Sequence, residues 1–347
     1  MFDGVFLSET LKAEWARLLR LSDGDWMNVL VTGGAGYIGS ALVARLVRDG
    51  HRVVSIDNLS QGDYECLVNY GENSRLKLVV GDICDSKKLE EVLREGGDMN
   101  AVVHLAAIPG IEMCQRNPKE AILTNVYGTY NVLEVARKYD IGKVVFGSSA
   151  AVYGNPIKTP IGEDHPLSPT NLYGVTKVAA EGLLESYHAN YGLGTVVLRF
   201  GNVYGVGAYT HWDTVIPKFV RQALSGQALT IYGDGKQSRD FVHVWDAVEA
   251  VILALRDEKG EGAGESFNVG VGKATSVNVI ADTVSRVFYA EYGKKVDIVN
   301  LPPRRGEPYV PNFCYSIEKI RGKLGFKPEG SIEKNVRQLI EYGSENL

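Results

Sequence analysis

The chain has 347 residues, 45% hydrophobic and 23% charged, with a formal net charge of −5. That size allows a large core. The acidic balance without a basic stripe argues against a nucleic-acid partner, and no apolar run approaches the roughly 20 residues of a membrane span.

Residues 1–27 precede the first strand. Ser8 is placed to cap a helix in which Leu11, Trp15, Leu18 and Leu19 share one face. Lys12, Glu14, Arg17 and Arg20 interrupt any signal-peptide core. Met27 stands directly before the strand, so two readings remain open: a mis-assigned upstream start, or an extension that docks on the body or on a partner.

Val29 to Val31 predict a buried strand. Gly33, Gly34, Gly36 and Gly39 follow, and Ala41 to Val47 predict a helix. Strand, glycine turn and helix together give the Gly-rich spacing its meaning. Glycines permit a tight turn and close approach of a pyrophosphate, and the helix N-terminus faces the phosphates. A second strand, His51 to Ile56, ends at Asp57. A carboxylate there suits the adenosine ribose and repels a 2′-phosphate, and no arginine follows in Asn58 to Gln61, so NAD is favoured over NADP.

Further strands are predicted at Leu76–Val80, Ala101–Ala107, Lys143–Phe146 and Gly194–Arg199, with helices between them such as Ala121–Tyr139. Repeated βα units with apolar strands mean a parallel, doubly wound α/β sheet of Rossmann type. Past residue 203 the chain becomes rich in glycine, proline and aromatic residues, apart from a helix at Asp246–Leu255 that returns to the sheet. The expected organisation is an N-terminal extension (1–27) and a Rossmann domain (28–202, with a return segment near 238–262). A smaller mixed α/β substrate lobe takes 203–237 and 263–347. Cys66, Cys84, Cys114 and Cys314 are widely spaced with no C-x-x-C. They suit reduced thiols in a cytoplasm, with neither a disulfide framework nor a metal site.

Tyr173 and Lys177 sit four apart, on one face of a helix. A free phenol titrates near pH 10, and a nearby ammonium together with a positive nicotinamide favours the phenolate and lowers that value toward a useful base. Ser148 and Ser149, at the end of the fifth strand, place a hydroxyl across the crevice.

With these motifs the chain resembles the extended short-chain dehydrogenases/reductases, in the NAD-dependent sugar-nucleotide epimerase/dehydratase branch, and most of all the UDP-glucose (UDP-galactose) 4-epimerases. The resemblance runs from about residue 28 to the C-terminus. It implies NAD contacts from Gly33, Gly36, Tyr37, Ile38 and Gly39, from Asp57 and Asn58, and from Asp82 and Ile83 beside the adenine. Leu105, Ala106, Ala107, Asn125, Tyr173 and Lys177 complete that set. It implies catalysis by Ser149, Tyr173 and Lys177. The UDP-sugar would meet Ser149, Asn202, Val215, Tyr232, Arg239, Arg304, Glu307 and Pro311.

Within the branch, dehydratases carry acidic residues after the catalytic hydroxyl. Here Ala150 and Ala151 stand instead, and alanine transfers no proton. Ile108 to Gly110 and the pair Phe200 and Gly201 depart from the galactose enzymes' pattern, which bears on the sugar more than on the reaction. A uronic-acid epimerase, a decarboxylase, a one-way dehydrogenase and a non-catalytic NAD-binding regulator remain alternatives. Pro311, expected beside the sugar's C2 substituent, is small enough to admit an N-acetyl group. Val126, Val132, Val135, Val178, Leu183 and Leu184 give two helices surplus apolar surface, and the resemblance pairs these helices in a homodimer.

Overall fold

The computed structural model describes residues 26–70, 73–303 and 312–347. The helix expected near Leu11 and the residues Arg304, Glu307 and Pro311 lie outside them.

Val29, Leu30 and Val31 are buried on both faces of their strand, as a sheet covered by helices on each side requires. They belong to β1 (Asn28–Thr32). With β2 (Arg52–Asp57), β3 (Leu76–Val80), β4 (Ala101–His104), β5 (Lys143–Ser149), β6 (Gly194–Phe200) and β10 (Glu265–Val269) it forms a seven-stranded sheet. The order is β10-β6-β5-β4-β1-β2-β3, and every neighbouring pair is parallel. Strand order reverses between β1 and β4, which puts the ligand crevice outside their carboxyl ends.

Helices cover both faces. α1 (Tyr37–Arg48) and α6 (Val244–Leu255) share one core with the sheet. α2 (Ser86–Gly96), α3 (Thr129–Lys138) and α4 (Leu172–Tyr191) share the core on the other face. A π-helical turn, Leu123–Gly128, leads into α3.

A smaller lobe stands over the crevice. Its sheets are β7 (Asn202–Tyr204) with β9 (Ser238–His243) and β11 (Ala274–Ser276), and β8 (Leu229–Tyr232) with β12 (Ile298–Leu301). Its core packs Phe219 and Val220 of α5 (Val215–Leu224) on Ile280 and Val284 of α7 (Val277–Tyr292), with Leu339 of α8 (Ile332–Asn346).

Two sequence expectations are corrected. Residues 263–347 do not all belong to the smaller lobe: β10 is the edge strand of the main sheet, with Phe267 and Val269 fully buried in the main core. Its partner β6 lies far upstream, so no local pattern assigns it. The surplus apolar residues are also different ones. Val132, Val135 and Leu184 face the sheet and are buried. Val126, Val178 and Leu183 are half-buried, and the large apolar residues exposed on these two stretches are Ile122, Leu123, Tyr127, Tyr130, Val175 and Tyr191.

Candidate active site

The glycine turn is built by contacts that admit no side chain. Gly33 has φ +77°, and a Cβ there would lie 2.5 Å from the Ala106 backbone nitrogen. A Cβ on Gly39 would lie 1.9 Å from the Gly33 carbonyl oxygen. These approaches bring β1, β4 and the start of α1 together. The N-cap of α1 is Gly36, which has no side chain to cap the helix, so the first amides face the crevice mouth without a side-chain acceptor.

Asp57 ends β2. One carboxylate oxygen accepts from the Ala35 amide at 3.0 Å and the other from the Leu59 amide at 2.8 Å, which orients the group beside the turn. Asn58 donates to Asp82 at 2.9 Å, and Asp82 accepts from the Cys84 amide at 2.7 Å. These expected adenosine-side residues are thus brought together across the ends of β2 and β3. Ile83 differs: its side chain is buried in the core beside Gly128, and its carbonyl accepts from Asn131.

The second cluster lies at the end of β5. Asn171 caps α4 by accepting from the Gly174 amide at 3.0 Å, which starts the helix just before Tyr173. A Cβ on Gly174 would lie 2.5 Å from the Ala151 carbonyl oxygen, so the glycine lets the helix close on the turn after Ser149. The Ser149 hydroxyl accepts from the Ala151 amide at 3.2 Å. The Ser149 side chain also lowers the pKa of the Tyr173 phenol. Ser148 points the opposite way, donating to Glu181 at 2.5 Å, as alternation along a strand demands. Glu181 in turn holds Arg199 in a buried pair at 2.7 Å.

Lys177 is 3% exposed and donates to the Gly147 carbonyl at 2.7 Å. Its ammonium lies 5.9 Å from the Tyr173 ring centroid. Burial pushes the Tyr173 phenol up to about 12, and burial pushes Lys177 down to about 8. The expected lowering of the phenol pKa is therefore not a property of the protein alone: desolvation outweighs the Ser149 hydrogen bond.

Asn125, expected as a cofactor contact, is buried, and its amide is spent on the protein. It accepts from the Ile108 amide at 2.8 Å and donates to the Ile108 carbonyl at 3.1 Å and the Thr176 hydroxyl at 3.0 Å. It holds the loop after β4 against α4 and acts on ligands through those partners. His104 lies beneath, between Thr32 at 2.7 Å and Thr129 at 3.0 Å. Thr129 donates to the Asn125 carbonyl, so its oxygen accepts from His104 Nε2–H. Burial lowers the imidazole pKa to about 3, which keeps His104 neutral.

Leu105, Ala106 and Ala107, expected as cofactor contacts, directly follow the carboxyl end of β4. Leu105 donates its amide to the Thr32 carbonyl at 3.0 Å. Asn202 opens β7 and is exposed, while Val215 begins α5. The Lys218 ammonium sits 5.6 Å from the Tyr232 ring centroid. Arg239 and Asp240 are not a mutual ion pair in this arrangement. Asp240 is fully buried and accepts from the amides of Val271, Gly272 and Tyr315, while Arg239 lies 5.7 Å from the Phe313 ring centroid.

Residues 29–270 match the NAD dependent epimerase/dehydratase family. The chain belongs to that family. It is 36% identical to a putative UDP-glucose 4-epimerase of Methanocaldococcus jannaschii, over 92% of this chain and 99% of the relative. Among solved structures it resembles a UDP-glucose 4-epimerase of Thermotoga maritima with UDP-glucose (TM-score 0.82, 33% identity, 92% and 99% of the two chains). It equally resembles a UDP-N-acetylglucosamine 4-epimerase of Methanobrevibacter ruminantium in complex with UDP-N-acetylmuramic acid (TM-score 0.83, 32% identity, 93% and 100%).

NAD is the cofactor of this epimerase/dehydratase family, and the cradle fits it. The turn that Gly33 and Gly39 keep free of side chains, the amides of α1 and the Asp57 carboxylate are the groups a dinucleotide needs. Among the described residues no group of His, Cys, Asp and Glu is arranged to hold a metal ion, and no helix is long and apolar enough to cross a membrane. Sequence reasoning missed the Ser148, Glu181 and Arg199 network, although strand alternation already separates Ser148 from Ser149. It also expected Tyr37 as an NAD contact and did not foresee its hydrogen bond to the Gly205 carbonyl.

Proposed function

We propose that this enzyme inverts C4 of a UDP-hexose through a 4-keto sugar, with NAD retained throughout. The carrying observation is the Ser149, Tyr173 and Lys177 corner followed by two alanines. NAD, when bound, would supply reversible hydride acceptance and a positive charge. Tyr173 takes the proton of the sugar 4-OH, and Ser149 hydrogen-bonds the oxygen that changes charge. Lys177, fixed by the Gly147 carbonyl, brings its ammonium beneath the crevice. Ala150 and Ala151 offer no group to expel water from the sugar, which disfavours dehydration.

Asn202, Val215, Tyr232, Arg239, Arg304 and Glu307 are proposed to anchor the UDP moiety while the sugar turns over. Among the described residues, Val215 and Tyr232 stand on the smaller lobe, and Asn202 and Arg239 on β7 and β9 of its sheet. Proline at 311, expected beside C2, is far smaller than tyrosine, so we expect the N-acetyl pair UDP-GlcNAc and UDP-GalNAc to be accepted with UDP-glucose and UDP-galactose. The exposed Ile122, Tyr127, Tyr130 and Val175 support a homodimer, which a monomeric mass at micromolar concentration would remove. Four free cysteines suit the cytoplasm; a secreted, oxidised native form would refute that.

The test is incubation of pure protein with UDP-glucose, with and without added NAD. The expected product is UDP-galactose with no net NADH. A 4-keto-6-deoxy product, or an oxidised sugar with stoichiometric NADH, sinks the reading. In the same assay, N-acetyl sugars should turn over within about tenfold of the plain pair, because one steric group is worth ~1–3 kcal/mol. Pro311→Tyr should remove that activity selectively.

A further inference from the structure

Tyr37 is the first residue of α1, so its backbone belongs to the phosphate-facing turn. Its side chain goes elsewhere. The phenol hydroxyl donates to the Gly205 carbonyl at 2.6 Å, joining residues 168 apart in sequence. Gly205 has φ +114°, and a Cβ there would lie 2.2 Å from the His243 imidazole. Only glycine fits, and its backbone can then turn the carbonyl toward Tyr37. A Cβ on Gly207 would come 3.3 Å from the Tyr37 ring, so the chain passes close over the aromatic face.

Two more contacts follow on the same segment. The Tyr209 amide donates to the Ser40 hydroxyl at 3.3 Å, and Ser40 donates to the Tyr37 carbonyl at 3.3 Å. The His211 ring stands edge-on to Tyr37, with centroids 6.3 Å apart. The segment is itself fastened down at both ends. Trp245 donates from its indole to the Val206 carbonyl at 3.1 Å, and Trp212 stacks on Tyr342 with centroids 6.1 Å apart.

We propose that Gly205–Trp212 is a strap that locks the phosphate-binding turn, that Tyr37 is its positioning residue, and that the strap keeps NAD on the enzyme between turnovers. The Tyr37 hydroxyl is committed to Gly205, so its role is to hold the turn in its binding form. A turn already held in shape loses little freedom when the diphosphate arrives, and moving it to let the diphosphate leave breaks the Tyr37–Gly205 bond. An enzyme that returns its hydride in every cycle gains from slow cofactor release. The inference rests on NAD binding and not on the choice of sugar.

The experiment loads the full chain with NADH and chases it with excess NAD, following the loss of bound-NADH fluorescence. Tyr37→Phe keeps the ring and removes the donor, and it should speed release about tenfold, the worth of one buried hydrogen bond. Ser40→Ala should speed it about threefold. Thermal unfolding of the NAD-free proteins is measured alongside. Lower melting temperatures with release rates within twofold of wild type in both variants would make Tyr37 merely structural and overturn the strap. If Tyr37→Phe does not fold, Ser40→Ala alone decides by the same criterion. No sugar is present, so a failed epimerase assay leaves this result intact.

Discussion

The glycine turn after β1 and the Ser149–Tyr173–Lys177 corner after β5 lie on either side of β4 and are built in opposite ways. The turn is backbone packed where no side chain fits: a Cβ would meet a protein atom at 2.5 Å on Gly33 and at 1.9 Å on Gly34 and Gly39. The corner is made of side chains taken out of water, with Lys177, Ser148, Glu181 and Arg199 all buried. One region fails by gaining an atom, and the other by losing a charge or a proton. Steric errors are steep and local. Electrostatic errors depend on everything nearby, and here burial works against ionisation, raising Tyr173 to about 12 and lowering Lys177 to about 8. The protein alone therefore keeps the phenol neutral and the lysine close to losing its proton. In the proposed mechanism the positive charge of bound NAD would favour the phenolate that burial disfavours.

The largest expected effect tests the corner. Tyr173→Phe should lower kcat by about a thousandfold, within the usual span of acid–base catalysis, while NADH affinity stays within about twofold. Retained turnover would show that another group moves the proton. The pH profile sharpens the same point. Lys177 has a lowered pKa, so its ammonium is the dominant form only below about pH 8. Activity that needs the ammonium should fall as pH rises through that value, and a profile flat to pH 10 would mean the charge is not needed.

Next comes the turn. Gly39→Ala should weaken NAD binding by about a hundredfold, because a displacement approaching 1 Å in a binding turn commonly has that consequence. Its stability should fall too, since the added carbon meets the Gly33 carbonyl rather than a flexible side-chain end. Wild-type NAD affinity in Gly39→Ala would break the steric half of the comparison.

The same contrast explains what the amino-acid sequence disclosed. The turn was visible because its requirements are local: an apolar strand, four glycines and a helix within about twenty residues. Tyr173 and Lys177 were visible because helical spacing alone puts them on one face. The Tyr37–Gly205 bond joins distant residues, and β10 pairs with β6 across β7, β8, β9 and the helices between them. No local pattern carries either. The pKa shifts were misjudged for a related reason: the ammonium was counted, but the burial that opposes it comes from the whole packed corner. Asn125 was placed at the cofactor although the π-helical turn directs its amide into the protein.

Asn125 also supplies the smallest effect and the sharpest division between the two regions. Besides a long contact to the Cys114 sulfur at 4.0 Å, its amide carries three hydrogen bonds to nitrogen and oxygen partners: two fix Ile108 beyond β4, and the third reaches Thr176, whose hydroxyl donates to the Tyr173 carbonyl at 2.8 Å. Asn125→Ala removes all three and leaves the Ile108 amide without that partner, a loss worth about 1–3 kcal/mol of stability. Because Asn125 joins the loop to α4, both sides should shift together, with kcat and NAD affinity each falling about fivefold. Steady-state kinetics and an NADH titration on the same preparation measure the two. If NAD affinity falls while kcat holds, Asn125 is a cofactor contact after all. If kcat falls alone, the Thr176 arm dominates and the Ile108 loop stands without it. Equal losses would show that one buried amide couples the steric turn to the proton-transfer corner.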